Sequence, residues 1–180
     1  MTIVDLAEQV EDLKQQAGTL LSEAFPHDQG WPDPQSGRDE IDWILGQGGF
    51  VRAMIDGDAL LGWVGGLPEY RGLVWELHPI AVQAPHRRRG IGRALVGAFE
   101  SAARERGGLT ATLGTDDHFG ETSLGGVDLY RDVPGRIAGL RDLGMEHPFL
   151  FYRKLGYVVT GVMPDANGRG RPDIYLSKAL

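Results

Sequence analysis

Residues 87–92 read Arg87-Arg88-Arg89-Gly90-Ile91-Gly92, between an apolar run that ends at Val82 and an amphipathic run from Gly90 to Arg106. A strand that turns through glycine into a helix is suited to binding an anion. The first backbone N–H groups of a helix have no intrahelical partner, and the helix dipole adds positive potential there. A phosphate fits such a place. Gly90 and Gly92 permit close approach and positive φ, while Arg87, Arg88, Arg89 and Arg93 supply charge. A solvated basic patch over a tight turn would carry the same residues. The pattern is not a nucleotide P-loop, which ends in Gly-Lys-Ser/Thr. Nor is it a dinucleotide fingerprint, whose third glycine would fall on Leu95.

The run before it, Trp75-Glu76-Leu77-His78-Pro79-Ile80-Ala81-Val82, holds two groups able to move protons. Glu76 and His78 are two apart and share one face of a regular strand. Either can take a proton from an amine, directly or through water. Pro79 has no N–H and interrupts the ladder, which predicts a bulge or a sheet edge. A bulge would turn the amides of Ile80 and Val82 toward a ligand. Asp116 and Asp117 close a later apolar run. Two carboxylates at a strand end can hold ammonium groups, or simply make a turn.

These groups need elements to position them. Spacing predicts an amphipathic helix over Asp5–Leu21, a loop over Phe25–Gly37 and a second helix over Arg38–Leu45. A hairpin follows, Phe50–Ile55 and Ala59–Leu67 around Asp56-Gly57-Asp58. Leu73–Val82 is the third strand, Gly90–Arg106 a helix and Leu109–Thr115 a strand. A polar, Gly-rich stretch then carries a short helix near Arg136–Leu140. Pro148–Leu155 is a short helix ended by Gly156, before strands Tyr157–Met163 and Asp173–Ser177. Helices alternating with a meander of strands imply an α/β or α+β sandwich with a mixed sheet.

Composition narrows the chemistry. The chain has 180 residues, 42% hydrophobic, enough for one core, so a single domain over 1–180 is expected. No apolar run approaches the roughly 18 residues of a membrane span, and the first ten residues lack a signal-peptide pattern. A soluble cytoplasmic protein is expected. There are no cysteines, which excludes thiolate metal sites and a cysteine nucleophile. The five histidines form no recognised metal spacing, so no metal is expected. A net charge of −7 disfavours nucleic acid and favours a polycationic small molecule.

Arg87-x-x-Gly90-x-Gly92 resembles the pyrophosphate-binding motif of GNAT acetyltransferases. The preceding strand and Phe151-Tyr152-Arg153-Lys154-Leu155-Gly156-Tyr157 are similar to the same superfamily. More narrowly, five stretches resemble aminoglycoside 6'-N-acetyltransferases. They are Trp75–Pro79, Leu113–Asp117, His147-Pro148, Pro164–Gly168 and Pro172-Asp173-Ile174. The resemblance covers about residues 60 to 180.

It implies a GNAT fold, a mixed, mostly antiparallel sheet flanked by helices and splayed where acetyl-CoA binds. Ile80, Ala81 and Val82 would contact the pantetheine arm. Arg87, Arg88, Arg89, Gly90, Ile91, Gly92 and Arg93 would hold the pyrophosphate. Glu76 stands at a candidate base position, with His78 the other candidate. Tyr152 is assigned to the thiol end, as acid or hydrogen-bond donor. Tyr70, Glu76 and Asp173 join Asp116 and Asp117 as candidates for the acceptor pocket. Phe25 stands where relatives often have Trp. A homodimer is implied.

Without cysteine, direct attack in a ternary complex is the simpler route. The expected activity is acetyl transfer to the 6'-amine of aminoglycosides, conferring resistance. Another amine (polyamine, peptide or small metabolite) is the alternative. A non-catalytic acyl-CoA-binding module is a third reading, against which Glu76, His78 and Tyr152 argue.

Overall fold

The computed structural model describes residues 1–25 and 30–180, and the chain divides into two compact units, residues 1–111 with Leu180, and residues 112–179. The first unit is built on antiparallel strands β1 (Thr2–Asp5), β2 (Phe50–Asp56), β3 (Ala59–Glu69) and β4 (Val74–Val82), paired in that order. Its helices are α1 (Glu11–Ala24), α2 (Pro34–Gly46) and α3 (Ile91–Glu105).

The helix expected over Asp5–Leu21 begins only at Glu11, and Thr2–Asp5 pairs with Arg52–Ile55 as a strand. Asp5 does cap, but it caps a single 3-10 turn over Leu6–Glu8, accepting from the Ala7 N–H at 3.0 Å. Pairing along β2 satisfies this backbone, a gain that helical periodicity cannot register. Helix α2 begins four residues before the expected Arg38. Pro34 presets the first turn, and Asp33 and Ser36 cap it reciprocally. The stretch 26–29 of the expected loop lies outside the described residues.

Helices α1 and α2 meet through glycine. A Cβ on Gly18 would lie 2.6 Å from the Pro34 carbonyl oxygen and 2.8 Å from the Arg38 nitrogen, and one on Gly37 would run into the Gly18 carbonyl. All of these neighbours are backbone, so the two helices approach as closely as they do only without side chains there. Arg38 adds ion pairs to Glu11 at 2.9 Å and Asp42 at 2.6 Å. Gly37→Ala is expected to destabilise the fold by about 1–3 kcal/mol through overpacking. Urea unfolding with an unchanged midpoint would contradict so close an approach.

Adjacent residues of β3 assign the helices to faces. The Trp63 indole N–H donates to the Ala17 carbonyl of α1 at 3.0 Å, whereas a Cβ on Gly62 would meet Leu95 of α3. Side chains alternate across a sheet, so α1 and α3 cover opposite faces. On the α1–α2 side lie Leu13, Ala17, Leu21, Ile41, Ile44 and Trp63. On the other, Phe50 packs against Trp75 and Phe99.

Strand β4 carries the expected irregularity. Val64 pairs with Ile80 but Gly66 with Leu77, so β4 holds one extra residue opposite Gly65, at a cis His78–Pro79 peptide. A Cβ on Gly65 would collide with the His78 carbonyl. The extra residue inverts the facing of the strand. Leu77, opposite Gly66, points to the α3 side, while Ala81, opposite Trp63, points to α1. Glu76 and His78 both precede the inversion and keep one face, the α2 side.

The second unit contains β5 (Thr110–Asp116) from Thr112 onward, α4 (Val133–Ala138), α5 (Phe149–Lys154), β6 (Val158–Met163) and β7 (Asp173–Ala179). Strand order within it is β5-β7-β6, with β6 and β7 antiparallel. The Thr112 and Thr115 hydroxyls donate to the Leu176 and Ile174 carbonyls. The class is α+β with a mostly antiparallel sheet, as expected. Among the described residues no helix is long and apolar enough to cross a membrane.

Candidate functional site

The strand–turn–helix expected after Val82 is present. Arg88 (φ 60°) and Gly90 (φ 86°) take the left-handed region, and Gly90 is the residue before α3. No side chain caps that helix. A Cβ on Gly90 would meet nothing within 4 Å, so its glycine answers to conformation and to whatever approaches from outside. Gly92 lies within α3 and has helical geometry instead. Arg87, Arg88, Arg89, Gly90 and Arg93 are exposed. Arg87 is tied back by its Nε, which donates to the Val82 carbonyl at 3.0 Å, and Arg89 contacts the His86 ring at 3.2 Å. A cavity of about 280 Å³ opens beside this segment, lined by Leu20, Glu23, Ala24, Gln83, Pro85 and Arg87 among others. An exposed cationic turn leading into an uncapped helix of 15 residues fits a pyrophosphate.

Glu76 and His78 sit half-buried on one face of β4. Burial pushes the Glu76 carboxyl above the usual carboxylate range. The His78 charge pulls it down less, and Glu69 adds to the push. A carboxylate with raised proton affinity in a half-buried setting has the character of a general base.

Two residues that sequence reasoning did not single out surround His78. Glu40 of α2 places Oε1 3.5 Å from His78 Nε2, and its Oε2 accepts from the Trp31 indole N–H at 3.0 Å. The Trp31 ring lies 5.7 Å from the His78 ring, and the Phe25 ring 5.4 Å from Trp31. Burial alone would raise the Glu40 carboxyl, but the nearby His78 and the hydrogen bond from Trp31 outweigh it and hold the group below its ordinary range.

Tyr70 is exposed, at 75%, on the turn from β3 to β4. Tyr70, Arg71 and Gly72 all take positive φ (48°, 62° and 83°). Such consecutive non-glycine positions are uncommon and hold the Tyr70 ring outward.

The remaining candidates belong to the second unit. Tyr152 is buried on α5 and packs edge-on against Phe151 and Tyr157. Burial raises its phenol far above the usual range, so it stays protonated with a hydrogen to donate. The two acids of β5 diverge. Asp116 is exposed, accepts from the Asn167 amide and lies 3.8 Å from His118. Asp117 is fully buried, and both its oxygens are committed to its own loop, accepting from Glu121 N–H, Thr122 N–H and the Thr122 hydroxyl. It therefore orders the loop rather than presenting charge. Asp173 is half-buried with its carboxylate lying over Gly114, where a Cβ would come within 2.5 Å of Oδ2. His147 is another residue outside the expected set. It is buried, with Nε2 3.1 Å from the Asp116 carbonyl.

Comparison with known proteins adds to this picture. The Acetyltransferase (GNAT) family model matches residues 15–131. A crystal structure of an aminoglycoside 6'-N-acetyltransferase complexed with coenzyme A is 37% identical, with a TM-score of 0.91, covering 99% of this chain and 97% of that one. The aminoglycoside 6'-N-acetyltransferase from Enterococcus faecium is equally similar, at 37% identity and TM-score 0.90 over the same shares. A ribosomal-protein-alanine N-acetyltransferase from Brucella melitensis shares the fold at 15% identity, with a TM-score of 0.68 and full coverage of both chains. No curated protein sequence matches.

Proposed function

Because this chain belongs to the GNAT acetyltransferase family, we propose that it transfers acetyl from acetyl-CoA to the 6'-amine of aminoglycosides and so confers resistance. The observation that carries this reading is the full-length likeness to aminoglycoside 6'-N-acetyltransferases at 37% identity. The half-buried Glu76 on β4, its proton affinity raised by burial, agrees with it. So does the net charge of −7, which raises the local concentration of a polycation.

Acetyl-CoA supplies an acetyl group activated as a thioester. In this reading the α3 N-terminus with Arg87, Arg88, Arg89, Gly90, Ile91, Gly92 and Arg93 holds the pyrophosphate, and Ile80, Ala81 and Val82 hold the pantetheine arm. Glu76 takes the proton of the acceptor amine, with His78 beside it. The amine nitrogen then bonds to the acetyl carbon as the carbon–sulfur bond breaks, in a ternary complex. Tyr152, fixed in its protonated form, donates a hydrogen bond to the departing sulfur. Asp116 and Asp173 hold ammonium groups of the acceptor, Asp117 shapes the loop that carries Asp116, and Tyr70 offers an aromatic face to a sugar. Cytoplasmic location and a homodimer belong to the same reading.

A coenzyme-release assay with kanamycin, tobramycin and neomycin against spermidine and a peptide panel tests the acceptor. Kanamycin is expected to turn over, and an analogue with a 6'-hydroxyl is expected to escape acetylation at that position. Added salt is expected to raise KM, because exposed charges beyond about 8 Å are screened at physiological ionic strength. Failure of all three aminoglycosides beside efficient acetylation of spermidine or a peptide would reject the acceptor and leave the family.

A further inference from the structure

We propose that Glu40 is a positioning residue, which with Trp31 fixes the His78 ring beside Glu76 and favours its imidazolium form. The proposal rests on the reading of Glu76 as the base. Three side chains from three segments meet here. Trp31 precedes α2, Glu40 stands on its second turn, and His78 lies on β4. One carboxylate oxygen of Glu40 is occupied by the Trp31 indole N–H at 3.0 Å, and the other faces His78 Nε2 at 3.5 Å. The tilted Trp31–His78 ring contact at 5.7 Å closes the cluster. Turning the carboxylate away would forfeit the indole hydrogen bond. Helix α2 is itself held against α1 through Gly18, Gly37 and Arg38, so the acceptor that faces Nε2 stands on a rigid element.

The Glu40 carboxylate stands 3.5 Å from Nε2, at ion-pair distance, with Oε1 making no hydrogen bond among the described residues. A negative charge so close favours the imidazolium over a neutral ring. Among the described residues, the charged groups acting at this face are Glu40 from α2, Glu76 from the same strand, and Glu69, which acts on Glu76 from the end of β3. Without an imidazolium, the half-buried carboxylates of Glu40 and Glu76 would share this face with no cation between them among the described residues. With it, burial of Glu76 is partly offset, and more of Glu76 is deprotonated at a given pH. Glu40 thus acts on the base through His78.

The variant Glu40→Gln keeps volume and an acceptor for Trp31 while removing the charge. His78 titration, followed by NMR of the ring protons and assigned against His78→Asn, is expected to shift down by about one pH unit. The acid limb of kcat/KM is expected to move up in Glu40→Gln, and no further when Glu40→Gln is added to His78→Asn. An unshifted His78 titration in folded Glu40→Gln would overturn the proposal. So would an additional limb shift in the His78→Asn background, because Glu40 would then act on Glu76 without His78. The NMR arm needs no turnover. Full activity in Glu76→Gln would reject the base assignment, while the His78 titration would still decide whether Glu40 governs its charge.

Discussion

Glu76→Gln is expected to lower turnover by about 10²–10⁴-fold, the range of a general base, with acetyl-CoA affinity nearly unchanged. The residue lies on the α2-facing side of β4, before the bulge that inverts the strand, and outside the Arg87–Gly92 turn. Its pH dependence follows from its environment. Burial raises the Glu76 carboxyl above the ordinary carboxylate range of about 4. The base works deprotonated, so activity rises with pH through that raised value, and the acid limb lies above the ordinary carboxylate range. His78→Asn removes the charge that lowers the Glu76 carboxyl, and the limb should move higher still. Wild-type turnover in Glu76→Gln with a comparable loss in His78→Ala would transfer the role to His78. Loss of acceptor affinity alone would make Glu76 a binding residue.

The same shift acts on stability with the opposite sense. A carboxyl whose folded pKa is raised stabilises the fold below its unfolded pKa, and that contribution is lost as pH rises through the folded value. At neutral pH the ionised Glu76 therefore weighs against the fold. Glu76→Gln should be at least as stable as wild type there, and its thermal midpoint should vary less with pH between 4 and 7. A variant that is slower but no less stable distinguishes a chemical role from damage to the fold.

Gly90→Asp is expected to weaken coenzyme A binding by about 100-fold or more in calorimetry. Gly90 has φ 86° and precedes an uncapped helix. A Cβ there meets no neighbouring atom, so the free protein absorbs only the left-handed backbone cost of about 1–2 kcal/mol. The larger effect falls on the complex. A carboxylate would face the pyrophosphate at the positive end of α3, and apposed like charges cost several kcal/mol. Gly90→Ala separates the two contributions, since it carries the backbone cost without the charge. Unchanged coenzyme A affinity in folded Gly90→Asp would place the pyrophosphate elsewhere.

The Arg87–Gly92 turn was legible because everything that makes it is contiguous. The strand, the glycine with positive φ and the uncapped helix occupy one stretch of chain. Pro79 was legible for a similar reason, since a missing N–H interrupts a ladder whatever the strand pairs with, and the bulge stands at that proline. Glu76 and His78 could be assigned one face because both precede it. The strand at Thr2–Asp5 was not legible, because its stability comes from Arg52–Ile55, some fifty residues away. The early start of α2 was local, but it was masked by a Pro- and Asp-rich stretch that served as a cap rather than a loop. Asp116 and Asp117 are alike in sequence, and only packing separates them. One faces solvent, and the other is enclosed by the backbone it organises. Trp31, Glu40 and His78 have no common spacing. Their grouping depends on two helices that meet at Gly18 and Gly37 and carry Glu40 to the face of β4. What lies along the chain could be derived from residue types and periods. What lies across it was decided by how closely backbones approach and by which charged groups burial brings together.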